Sequence, residues 1–90
     1  MNEYVRKDGL FVEFGGVKRW YKNNRLHRED GPAVEYSDVH KYWFLNGVLH
    51  RVDGPAVEDD GNKYWYLNGN KIDCSSQEEF NRIVRIMAFL

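Results

Sequence analysis

Short stretches of alternating apolar and polar residues, each closed by a turn signal, follow one another along most of this chain. Ala33-Val34-Glu35-Tyr36 alternates with period 2, Ser37-Asp38-Val39-His40 turns the chain, and Lys41 to Leu45 is a strand rich in aromatic side chains. Asn46-Gly47 then supplies a hairpin turn, because both central residues of a type I′ turn need positive φ, which Asn tolerates and Gly accepts without strain. Val48-Leu49-His50 runs back, and Asp53-Gly54-Pro55 bends the chain into a similar stretch that reaches Asn68-Gly69. Asn23-Asn24 holds the same place earlier on. The pattern predicts an antiparallel meander. At Ser75 the period changes from 2 to 3.6. Ser75-Ser76-Gln77-Glu78-Glu79 offers two overlapping capping boxes, Ser75 with Glu78 and Ser76 with Glu79, and Phe80, Ile83, Val84, Met87 and Leu90 fall on one stripe of an amphipathic helix. The fold class expected is mainly β with one C-terminal helix.

The stretches are copies of one unit. Arg6-Lys7-Asp8-Gly9-Leu10-Phe11-Val12-Glu13 aligns with Arg28-Glu29-Asp30-Gly31-Pro32-Ala33-Val34-Glu35 and Arg51-Val52-Asp53-Gly54-Pro55-Ala56-Val57-Glu58, at intervals of 22 and 23 residues. Trp20, Trp43 and Trp65 share one register of the same period. A unit of this size cannot bury its own apolar face and must stack on its neighbours. The division predicted is a single domain over 1–90, with an N-terminal half unit at 1–17, repeats at 18–74 and a capping helix at 75–90. Alternation puts the three tryptophans on one face and Tyr21, Tyr42, Phe44, Tyr64 and Tyr66 on the other. The helix can cover only one of these faces. No cap precedes the half unit, so its strand is predicted as an open edge that Lys7 and Asp8 partly protect. Ile86 and Phe89 widen the apolar side of the helix; burial in the core is favoured for them over a homodimer contact.

Composition narrows the function. The chain has 90 residues, 16% of them aromatic, and a formal net charge of −1 with acids and bases interspersed. That balance argues against a general polyanion binder, so nucleic acid is the weaker partner reading. Cys74 is the only cysteine, so no internal disulfide forms, and Met1 to Asp8 lacks the apolar run of a signal peptide. A cytoplasmic protein is expected. No stretch is long and apolar enough to span a bilayer, since Ile83 to Leu90 is interrupted by Arg85.

The units Trp20-Tyr21-Lys22-Asn23-Asn24-Arg25-Leu26-His27-Arg28-Glu29-Asp30-Gly31-Pro32-Ala33 and Trp43-Phe44-Leu45-Asn46-Gly47-Val48-Leu49-His50-Arg51-Val52-Asp53-Gly54-Pro55-Ala56 resemble the MORN-variant repeats, of the Trp-Tyr-x-Asn-Gly-x-x-His-Arg-x-Asp-Gly-Pro-Ala type found in small phage and bacterial proteins. The resemblance covers about residues 5 to 80, including the Glu-Glu-Phe helix after the last Asn-Gly. The glycine pattern departs from ordinary MORN repeats, so their lipid and scaffold roles transfer poorly. What the resemblance implies is a sheet-based interaction scaffold with no enzymatic activity shared across the family. For a phage member it implies a protein that acts in the cytoplasm of the bacterial host and modulates or inhibits a host defence protein.

Candidate chemistry is thin. His27 and His50 are each followed by Arg and, three residues on, by Asp. A zinc site needs three or four ligands converging at about 2.0–2.3 Å, whereas these histidines stand a whole unit apart. Duplication favours architecture: the rings and the bend aspartates are expected to satisfy backbone N–H groups of the Asp-Gly-Pro bend. No metal or cofactor is expected. Cys74 precedes a helix N-terminus, which would lower its pKa, but nothing nearby supplies a base or an oxyanion hole, and no catalytic residue is assigned. Arg6, Arg28 and Arg51 with His27 and His50 make a candidate anion-binding strip. Glu13, Glu35, Glu58 and the bend aspartates recur beside them, which favours an internal ladder of ion pairs. The candidate protein-binding surface is Tyr42, Phe44, Tyr64 and Tyr66 with Arg28 and Arg51, because tyrosine combines contact area with a polar handle. The expectation is a non-enzymatic protein-binding module; the alternative is capture of a nucleotide or nucleic acid by the Arg/His strip.

Overall fold

A computed structural model describes residues 6–89. In chain order the strands are β1 (Gly9–Val12), β2 (Lys18–Lys22), β3 (Arg25–Leu26), β4 (Val34–Ser37), β5 (His40–Tyr42), β6 (Phe44–Leu45), β7 (Val48–Leu49), β8 (Val57–Asp59), β9 (Asn62–Leu67) and β10 (Asn70–Ile72), followed by helix α1 (Gln77–Met87). The main sheet is an antiparallel meander in the order β1-β2-β4-β5-β8-β9-β10, with β3 folded back on β2 and β6-β7 forming a separate hairpin. The described chain is a slab of 51 × 30 × 18 Å with a radius of gyration of 14.9 Å, against about 12 Å for a globule of this length.

At each tryptophan the chain changes partner along one edge. Lys18 and Arg19 of β2 pair with β4, while Tyr21 and Lys22 pair with β3. In β9 the first half pairs with β8 and the second with β10. The middle unit breaks at this point, into β5 and β6 on either side of Trp43. Tryptophan marks the changeover. The backbone N–H groups of Trp20 and Trp43 donate to the carbonyls of Ala33 and Ala56, both at 2.8 Å, and their carbonyls accept from the backbone N–H of His27 and His50 at 2.9 and 3.1 Å.

Register then sorts the side chains into rows. Leu10 faces Trp20 and Trp65 faces Ile72, and the pairings between them set Ala33 beside Trp20 and Trp43, and Ala56 beside Trp43 and Trp65. Both alanines are fully buried. Large and small residues must alternate here, since a bulkier side chain between two indoles would overpack the row. On the same face runs the row Lys18-Glu35-Lys41-Glu58-Lys63, opposite in charge at every step. The other face carries the row Phe11-Arg19-Val34-Tyr42-Val57-Tyr64, in which Val34 and Val57 are buried.

The turns have the expected backbone: φ is 50° and 83° at Asn46-Gly47, 50° and 83° at Asn68-Gly69, and 50° and 67° at Asn23-Asn24. Asp60-Gly61, with φ of 49° and 87°, is a further turn of this kind. The repeat pattern hides it, because Asp38-Val39 stands in its place one unit earlier. Turns also dock on the preceding unit. Gly47 and Gly69 donate their N–H to the carbonyls of Leu26 and Leu49, each at 2.8 Å. The half unit offers an equivalent dock, where Asn24 N–H reaches the Lys7 carbonyl at 3.0 Å and Asn23 N–H the Asp8 carboxylate at 2.8 Å. Its strand β1 is an edge of the sheet and exposed throughout; Met1 to Val5 lie outside the described residues.

Of the two capping boxes, only the second contributes, through its serine. Ser76 is the N-cap and accepts the Glu79 N–H at 3.1 Å, so the helix begins at Gln77 and not at 75. Phe80 is its anchor, 1% exposed, with Ile83 and Val84 half-buried. The expectation that Ile86 and Phe89 sink into the core is overturned, for they are 57% and 90% exposed. The helix is seated through its first two turns, and the thin sheet offers its last turn no surface to cover. Leu90 lies outside the described residues. Among the described residues no helix is long and apolar enough to cross a membrane.

Candidate functional site

The duplicated Arg-x-Asp-Gly-Pro segments form two matching clasps. Arg28 donates from Nε to Asp30 at 3.0 Å and from Nη1 to the Pro32 carbonyl at 3.2 Å, with its guanidinium 3.9 Å from the Trp20 ring centre. Arg51 does the same with Asp53 at 3.0 Å, the Pro55 carbonyl at 3.1 Å and Trp43 at 3.9 Å. The planar guanidinium thus satisfies the bend and covers the indole at once. Glycine at 31 and 54 permits this close approach, and neither has positive φ: a Cβ at Gly54 would lie 2.5 Å from Arg51 Cζ and one at Gly31 would lie 2.8 Å from Arg28 Cζ, so the guanidinium would have to shift. Arg6 keeps the bond to its aspartate, Asp8, at 3.2 Å, but no tryptophan lies beneath it among the described contacts. Arg28 also approaches Glu35 at 3.9 Å, and Arg19 pairs with Glu13. The arginines are engaged internally.

Trp65 has no arginine, because the repeat stops at Asn70. The helix start replaces it. Trp65 Nε1–H donates to Gln77 Oε1 at 2.7 Å, and Gln77 Nε2 donates to the Val52 carbonyl at 3.0 Å and to Asn81 Oδ1 at 2.9 Å.

The histidines serve a different partner from the one their spacing suggests. His27 Nδ1 accepts the N–H of Asn46 at 2.9 Å, and His50 Nδ1 accepts that of Asn68 at 2.8 Å. Each ring holds the hairpin turn of the next unit, while the bend aspartates Asp30 and Asp53 accept from arginine Nε. The contact joins residues a unit apart, which no local pattern displays. An accepting Nδ1 carries no proton, so the ring nitrogen free to donate is Nε2; in His27 this atom lies 3.6 Å from Glu29 Oε1. Replacing His50 with Ala strands the Asn68 N–H and is expected to cost about 1–3 kcal/mol in chemical denaturation. His50→Asn, whose Oδ1 can take the place of Nδ1, should recover most of that loss.

The face opposite the tryptophans carries the tyrosines. Tyr36 stacks on His40 with ring centres 4.5 Å apart, and its hydroxyl meets that of Tyr42 at 3.3 Å. The bond to Tyr36, then burial, then the negative charge Tyr36 and Asp59 can carry push the Tyr42 hydroxyl up to about 12. His40 Nδ1 stands 2.5 Å from Asp59 Oδ1. Lys71 lies opposite Tyr66 and places Nζ 4.8 Å from the Tyr64 ring centre. Tyr42 and Tyr64 share a row, Tyr66 shares their face, and Tyr36 and Tyr64 are 44% and 36% exposed. Phe44 is set apart in the β6-β7 hairpin opposite Leu49. Tyr36 and His40 escaped the sequence pattern because they flank an irregular turn, where the β4-β5 register shifts between Glu35 and Ser37.

No family model, curated protein or solved structure matches this chain.

On the tryptophan face a groove of about 490 Å³ lies between the bend Arg28 to Pro32 and the next bend, Arg51 to Asp53, with Trp43, Leu45 and His50 also lining it. It brings Arg28, His50 and Arg51 together; Arg6 and His27 are not part of its lining. A second groove one unit on is lined by Arg51, Asp53, Trp65 and the helix start Ser75 to Gln77, among others. Cys74 departs from expectation: burial first, then Glu79 and Asp73, push its thiol up, and the backbone bond from Ser76 offsets this only in part. Among the described residues no group of three or more His, Cys, Asp or Glu is arranged to hold a metal ion.

Proposed function

We propose that this chain is a non-enzymatic protein-binding module whose contact surface is the tyrosine face. The supporting observation is the uncovered aromatic patch of Tyr36, Tyr42, Tyr64 and Tyr66, with Tyr36 and Tyr64 substantially exposed. Tyrosines on a rigid sheet bring large contact area at low entropic cost and keep a hydroxyl for the partner. The arginines and histidines of the alternative strip already have partners within the fold, which weakens the case for capture of a nucleotide or nucleic acid. The MORN-variant resemblance supplies the setting: a phage or bacterial cytoplasm, with a host protein as the partner. The test is retention of a host protein from bacterial lysate on the immobilised chain, compared with Tyr36→Ser/Tyr64→Ser. The double variant should lose the retained protein, and its thermal unfolding, measured alongside, separates loss of the patch from loss of the fold. Binding that instead collapses between low and physiological salt, with the variant unaffected, would favour phosphate recognition.

A further inference from the structure

The two grooves of the tryptophan face are successive copies of one surface and share Arg51 and Asp53. In the second, the chain supplies its own occupant for the indole edge: Gln77 takes the Trp65 N–H through Oε1 and gives Nε2 to the Val52 carbonyl. A primary amide does both from two separate atoms at its tip, which a carboxylate, an ammonium or a guanidinium cannot do. In the first groove the same two positions are held by Trp43 and Glu29, one unit earlier in the repeat. Both line that groove. There the Arg51 guanidinium lies over the ring face of Trp43, while no hydrogen bond from a described residue meets the Trp43 indole N–H or the Glu29 carbonyl. The Trp43 indole nitrogen is not fully buried.

We propose that the Trp43 groove is a docking site for a glutamine side chain of a partner protein, presented at the start of a helix as Gln77 is presented at Trp65. The groove continues an interface the chain already makes with itself, and that interface identifies the occupant. The Trp43 indole N–H donates to the amide oxygen, the Glu29 carbonyl accepts from the amide nitrogen, and the walls are the bends beginning at Arg28 and Arg51. This site is on the opposite side of the sheet from the tyrosine face, so the two stand or fall separately.

The test uses the full chain and a synthetic peptide with the sequence Ser75 to Arg85, followed through the three indole N–H resonances by NMR. The expected result is a saturable shift of the Trp43 indole with the Trp65 indole unmoved. A peptide in which the residue matching Gln77 is Leu should bind about tenfold or more weakly, because it offers neither hydrogen bond. Trp43→Phe, which keeps a ring under Arg51 but removes the N–H, should weaken the parent peptide to the level of the Leu peptide; its thermal unfolding is measured alongside. If that variant fails to fold, the pair of peptides on the parent chain still decides. No saturable shift at Trp43, equal binding of the two peptides, or a shift confined to Trp65 through displacement of the chain's own helix would each overturn the proposal. Tyr36→Ser/Tyr64→Ser should bind the peptide as the parent does.

Discussion

Phe80→Ala is expected to lower stability by about 3–5 kcal/mol, a large part of the roughly 5–15 kcal/mol that holds a small domain together. Phe80 is the largest side chain that is fully buried, and it lies one turn into the helix whose start covers Trp65. A helix of 11 residues does not persist alone in water, so its order depends on docking. Losing the ring should release the helix, break the Gln77 bridge and expose Trp65, which is now 5% accessible. Denaturation followed in parallel by far-ultraviolet circular dichroism and tryptophan emission would show a lower midpoint, with emission shifted to the red already in the native baseline. A loss under about 1 kcal/mol, the level of a surface change, would mean the helix is not the cap of the array.

The second large effect lies in the clasp and takes the form of a cycle. Arg51→Ala removes a charge-assisted bond to the Pro55 carbonyl and the stacking on Trp43, together worth about 2–4 kcal/mol. Gly54→Ala should cost nearly as much, since its Cβ would stand 2.8 Å from both Nη1 and Nη2 of Arg51 and drive the guanidinium off the indole. With the arginine gone the new methyl meets no obstacle, so the double variant should be no worse than Arg51→Ala. That coupling is the signature of one shared interaction. Asp53 is 83% exposed at its side chain, and Asp53→Ala should cost under about 1 kcal/mol. Additive losses in the Arg51/Gly54 pair, measured by urea denaturation, would show that glycine is needed there for some other reason.

Much of this fold is legible because its units are local. A turn such as Asn46-Gly47 declares itself in two residues, and alternation assigns Trp43 and Tyr42 to opposite faces without knowledge of any neighbour. The helix is legible from its stripe, but the end of its burial is not: Ile86 and Phe89 look like core on a helical wheel, and only the extent of the surface beneath them decides otherwise. The candidate site was legible in parts. Its duplicated Arg, His, Asp and Gly announce architecture, yet which atom meets which does not follow from spacing. His50 and Asn68 are 18 residues apart, and they meet because one unit's turn comes to rest on the previous unit's strand end. Tyr36 and His40 became neighbours through a register shift at a bulge, which alternation cannot anticipate.

By itself the amino-acid order determined the repeat, the hairpins, the two aromatic faces and the helix, because each depends on propensities and periodicities that act within one unit. Tertiary structure alone decided what the conspicuous side chains are for. Stacking one unit on the next turned the arginines into clasps and the histidines into turn receptors, and it put Gln77 on the indole N–H of Trp65, where the repeat supplies no arginine. Those roles come from contacts between units, whose geometry is set by strand register and by the 22- to 23-residue rise of the array, and no single unit contains it.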